Sequence, residues 1–179
     1  MKTEAEDPRS KNYQRSSELQ KKIDRLKCMS GDANTQSYHV AIIIGRWHAF
    51  IADNLLAGAL ETLEAAGITE QQIDIIYVPG AYEIPLAAKR IAQLAQYKAA
   101  VTLGAVIKGD TPHFDFVAGE CARGIADVSL EYDLPIGFGV LTVNTVDQAL
   151  ARAERSEAYK GREATLAALE MADLLSKLT

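Results

Sequence analysis

The chain has 179 residues, 48% of them apolar and 24% charged, and a formal charge of −5. That is the profile of a soluble globular protein, long enough to bury a core without disulfides or metals. The acidic balance excludes an electrostatic footprint for nucleic acid, and no apolar run approaches the ~20 residues that span a bilayer.

Charge divides the chain. Residues 1–36 hold 8 Lys/Arg and 6 Asp/Glu, a net +2, whereas the remainder holds 11 and 18, a net −7. The first segment has few large apolar side chains and cannot offset the entropy of ordering, so 1–36 reads as a mostly disordered polar extension and 37–179 as one domain. Within the extension, Leu19, Ile23 and Leu26 follow helical spacing and Glu18–Lys22 is an i,i+4 pair, enough for a turn or two of helix. The N-terminus lacks an apolar secretory core and carries Glu4, Glu6 and Asp7, against a transit peptide; a cytoplasmic location is expected. Cys28 and Cys121 make no zinc spacing and read as a tail thiol and a small core residue. Three scattered histidines predict no metal site.

From residue 37 the pattern becomes regular. His39–Ile44 is a short β-branched run, read as a buried strand. Phe50–Ala66 has helical periodicity and stops at Gly67. Ile73–Val78 is the second strand. Tyr82–Gln96 is a helix, with Pro85 tolerated in its first turn. Ala99–Ile107 is the third strand, Pro112–Tyr132 the next helix and Leu134–Leu141 the fourth strand. Val146–Arg155 and Arg162–Leu178 are two helices separated by a bend at Gly161. Continuous apolar strands alternating with helices predict a parallel sheet covered on both faces, and ligands of such sheets bind beyond the carboxyl ends of the strands.

The strand ends carry the informative residues. After strand one stands Trp47, the one tryptophan, either packed over a helix end or offered as a stacking platform for a flat heterocycle. After strand two, Pro79-Gly80 permits a close backbone approach, and Glu83 either complements a helix dipole or accepts from ligand hydroxyls. After strand three, Thr111 suits an N-cap and Pro112 the first helical position. The free N–H groups of such a turn suit an anion, with His113 beside them as a proton-transfer group or simply an exposed first-turn side chain. After strand four, Arg152, Arg155, Lys160 and Arg162 form either a solvated surface or a phosphate grip. Gly137-Phe138-Gly139 lies inside a strand and opens no helix, so it is no dinucleotide fingerprint.

Taken together, Gly45-Arg46-Trp47-His48-Ala49-Phe50-Ile51, Val78-Pro79-Gly80-Ala81-Tyr82-Glu83-Ile84-Pro85 and the run Leu103–Val117 with its Gly109-Asp110-Thr111-Pro112-His113-Phe114 resemble the 6,7-dimethyl-8-ribityllumazine synthase family. So do Phe138–Thr142 and Ala167–Ala172. The resemblance runs in order over about residues 38–177. It implies a three-layer αβα sandwich around a four-stranded parallel sheet in the flavodoxin-like order 2-1-3-4. It implies a transferase of riboflavin biosynthesis that needs no cofactor and joins a ribityl-aminopyrimidine to a four-carbon sugar phosphate. It also implies a homopentamer, or an assembly of pentamers, with the active site at a subunit interface; riboflavin synthase is a candidate partner.

Position by position, the resemblance puts Trp47 on the pyrimidine, where phenylalanine is usual, and His48 where asparagine is common. Ala81, Tyr82 and Glu83 fall at the ribityl chain, and Val106, Ile107 and Phe138 around the pyrimidine. Asp110 and Thr111 fall at the sugar phosphate, with Arg152 as its ligand. His113 is the proton-transfer residue, and Lys160 and Glu163 match polar positions of the last helix. The segment Arg152–Gly161 departs from the family: Ser156 stands where a lysine is usual, and two glycines are lost. Three other readings remain: a riboflavin- or lumazine-binding relative without catalysis, an FMN carrier of flavodoxin type, and a shell whose task is enclosure.

Overall fold

Every residue of Val40–Gly45 (β1) is buried, the outcome for a continuous apolar run covered on both faces of a parallel sheet. The computed structural model describes residues 14–33, 38–154 and 159–178, which fall into two units, one up to Ser30 and one from Gly31 onward. In the first unit, Ser17–Ile23 (α1) is a short helix capped by the Ser16 hydroxyl, which accepts from the Leu19 N–H at 3.2 Å, and Glu18 pairs with Lys22. None of its residues is buried.

The second unit continues with Ala49–Ala65 (α2), Ile73–Val78 (β2), Ile84–Leu94 (α3), Ala99–Ile107 (β3), His113–Tyr132 (α4), Ile136–Val143 (β4), Val146–Ala153 (α5) and Lys160–Lys177 (α6). All four strands are parallel, in the order β2-β1-β3-β4. This is the flavodoxin-like order that the family resemblance implies. Alternation along each strand makes two cores. Val40, Ile42, Ile44, Val101 and Leu103 pack with α2, α5 and α6; Ala41, Ile43, Ala100 and Val106 pack with α3 and α4.

Several boundaries differ from the pattern-based reading for identifiable reasons. α2 ends one residue early because Gly67 (φ 81°) enters the left-handed region. Its N–H donates to the Glu64 carbonyl and the Ile68 N–H to the Leu63 carbonyl, while the Ile68 side chain is buried beneath the turn. Ala81–Glu83 forms a 3-10 turn before α3 starts at Ile84, with Pro85 inside the first turn, where its missing N–H costs nothing. β4 starts and ends two residues later than expected, because Thr142 and Val143 still pair with Val106 and Ile107. Pro112, not Thr111, occupies the N-cap position of α4, and no side chain caps that helix. Gly161 is not a bend: it lies inside α6, where its missing side chain lets the helix close on α2.

Candidate functional site

Residues that follow β1, β2 and β3 converge on a hollow of about 250 Å³ at the carboxyl end of the sheet. Trp47 and His48 come from the β1–α2 loop, Ala81 from the β2–α3 turn, and Val106 and Ile107 from the end of β3. Thr111 and His113 belong to the turn that opens α4, and Phe114 and Val117 form the floor. One aromatic face, an apolar floor and two imidazoles thus share one opening, the composition of a small-molecule site.

Local backbone chemistry fixes this wall. His48 adopts a left-handed conformation (φ 57°, ψ 50°), uncommon for a residue with a side chain. It is held there because its carbonyl accepts the Ile51 and Ala52 N–H groups that start α2, at 2.8 and 3.1 Å. Its ring meets Phe50 edge-on, with centroids 6.5 Å apart. The indole of Trp47 rests on Gly80, and the Gly80 N–H donates to Glu83 Oε2 at 2.9 Å. Glu83, expected at the ribityl hydroxyls, therefore ties down the turn beneath the indole and does not itself line the hollow. Tyr82 and Asp110 are exposed beside it and line it no more than Glu83 does.

The other expected residues lie elsewhere on the chain. Phe138, Arg152 and Lys160, with Glu163, line a second hollow of about 470 Å³, built by β4 together with α5 and α6. Phe138 shares the α4 side of the sheet with Val140, yet is 45% exposed because β4 is an edge strand. Arg152 Nη1 donates to the Gln148 carbonyl at 2.9 Å, which braces the guanidinium against its own helix. Lys160 pairs with Glu163, three residues on. Arg155 and Ser156 lie outside the described residues.

The sequence reading thus divides in two: Trp47, Ala81, Val106, Ile107, Thr111 and His113 share one hollow, whereas Phe138, Arg152 and Lys160 share another. It passed over Phe114, Val117 and Thr142 as lining residues. A period-2 reading of β4 places Thr142 on the side of Phe138, and a helical reading from His113 places Val117 one turn on, so both signals were present. A third hollow of about 580 Å³, lined by Leu60, Ile68, Ile73 and Ile75 with Glu64 and Glu70, holds none of the expected residues. Among the described residues no cluster of His, Cys, Asp or Glu suits a metal ion, and no helix is long and apolar enough to cross a membrane.

Compared with protein families, residues 37–176 match the family model described as 6,7-dimethyl-8-ribityllumazine synthase.

Proposed function

The chain belongs to the 6,7-dimethyl-8-ribityllumazine synthase family, a family of transferases in riboflavin biosynthesis, and on that footing we propose that it condenses 5-amino-6-ribitylamino-2,4(1H,3H)-pyrimidinedione with 3,4-dihydroxy-2-butanone 4-phosphate. The products are 6,7-dimethyl-8-ribityllumazine, inorganic phosphate and water. The amine adds to the ketone and loses water to give a Schiff base. Phosphate leaves by elimination, and the ribityl-bearing nitrogen closes the ring with loss of a second water. Each step moves protons and aligns two substrates, and none transfers electrons, so the reaction calls for no redox carrier.

The roles are those that the family resemblance implies, and the chemistry of each side chain suits them. Trp47 stacks on the pyrimidine, and Val106 and Ile107 exclude water from its edge. His113 moves protons at the reacting carbons, because an imidazole can both donate and accept a proton through its two ring nitrogens. Arg152 grips the phosphate in two-point fashion, with Thr111 and Asp110 near the sugar phosphate. Lys160 serves the ribityl-pyrimidine, with Glu163 as the ion-pair partner of its ammonium. Alignment of both substrates can supply up to roughly 7–11 kcal/mol of barrier reduction.

One observation carries the further reading that the site is shared between chains. The residues expected at one set of substrates occupy two hollows of a single chain, one with the aromatic wall and His113, the other with Arg152 and Lys160. A ring of subunits that presents the second hollow of one chain to the first hollow of the next would bring the set together, and the pentamer that the resemblance implies is a candidate for such a ring. The direct test supplies both substrates to the purified protein and follows lumazine absorbance with wild type beside Trp47→Ala. Lumazine formed by the wild type and diminished in Trp47→Ala supports the reading. Flavin or lumazine binding without turnover favours a binding relative, and no turnover with either result refutes the enzymatic assignment.

A further inference from the structure

The start of α6 is seated in a notch on α2. Gly58 has no β-carbon, and the ring of Tyr159 takes its place: a β-carbon built on Gly58 would stand 2.4 Å from Cζ and 2.6 Å from Cε2 of that ring. The phenol donates to the Asn54 carbonyl, one turn earlier on α2, at 3.4 Å. Two residues further, Gly161 lies on the same stretch of α2, where a β-carbon would stand 2.1 Å from the Leu55 carbonyl oxygen. Lys160 sits between these two contacts, and its ammonium pairs with Glu163 on the wall of the second hollow.

Tyr159 is also the N-cap residue of α6, and it makes no side-chain cap hydrogen bond. A first turn without a cap frays. Here packing replaces the cap, because a ring locked in a slot on α2 holds the backbone of the next residue. A lysine ammonium rides on a flexible four-carbon stem, so what it can reach depends on where its backbone is held. α2 itself begins at the loop that carries Trp47 and His48.

We propose that Tyr159, seated in the Gly58 notch, is a positioning residue that holds Lys160 and Glu163 in place for the ribityl-pyrimidine substrate. This rests on the functional reading above. The test is steady-state kinetics in both substrates on the full-length wild type, Tyr159→Phe and Tyr159→Ala, with thermal unfolding of each. Tyr159→Phe keeps the ring in its slot and both KM values within twofold. Tyr159→Ala raises KM for the pyrimidine about tenfold and KM for the sugar phosphate by less than threefold, because a displaced binding group loses alignment. Gly58→Ala expels the ring from the other side and reproduces that split, which supplies the test if Tyr159→Ala fails to fold. A lower Tm with neither KM altered, or an equal rise in both, overturns the proposal while leaving the enzymatic assignment standing. A wild type that forms no lumazine overturns both.

Discussion

The indole of Trp47 lies against the α-carbon of Gly80, so closely that a β-carbon there would stand 3.0 Å from Cε3 and 3.2 Å from Cδ2 of the ring. The loop after β1 and the turn after β2 are thereby fitted to each other, and the Glu83 carboxylate on the Gly80 N–H fixes the turn. Gly80 has an extended backbone (φ −154°, ψ −171°) that any residue adopts, so its requirement for glycine is steric.

Gly80→Ala therefore tilts the indole and leaves the fold intact. Offset stacking is worth about 0.5–1.5 kcal/mol, so affinity for the pyrimidine falls about two- to tenfold. Trp47 is the one tryptophan, and its emission reports the change directly. An unchanged spectrum together with unchanged affinity disproves the contact's role.

A shared site makes two crippled variants complement each other. His113→Ala slows turnover about 10²–10⁴-fold without abolishing it, because alignment survives. Arg152→Ala raises KM for the sugar phosphate about tenfold or more, and raises it more than KM for the pyrimidine. Co-assembled from equal amounts of the two chains, the protein regains about a quarter of its sites, since each intact half is present in half of the chains. Activity no higher than the mean of the two variants means that each site is built within one chain.

Two glycine-to-alanine changes differ in sign. At Gly161 the new methyl meets the Leu55 carbonyl oxygen, a backbone atom that cannot turn aside, and overpacking of this kind costs about 1–3 kcal/mol. At Gly119, exposed in the middle of α4, nothing lies within 4 Å, and alanine gains about 0.5–1 kcal/mol of helix stability. Thermal unfolding is expected to show a lower Tm for Gly161→Ala and a higher one for Gly119→Ala.

Cys121 is fully buried in α4, and desolvation of the thiolate pushes its thiol from 9.0 up to about 12. Because the folded value lies above the unfolded one, this group's contribution to stability is complete below pH 9 and is lost as pH rises towards 12. Alkylation at pH 8 should label the exposed Cys28 in the native protein and Cys121 only after unfolding. Rapid native labelling of both thiols contradicts this burial.

Much of this was legible in the residues themselves. The strands Ile73–Val78 and Ala99–Ile107 were bounded correctly because β-branched runs ending at Pro79 or Lys108 have one economical conformation. The convergence of Trp47 and His113 follows from a parallel α/β pattern with its functional residues at strand ends, and the sheet order 2-1-3-4 is the one that the family resemblance implies. What local pattern could not supply were the contacts made across the chain. Only the packed structure lays Trp47 on Gly80, moves Gly161 from a bend to a close helix contact, and parts Arg152 from His113. Periodicity reports which face of an element is apolar, whereas the distance between two side chains depends on how the layers close, and that is decided by backbone sterics at a few positions where a β-carbon does not fit.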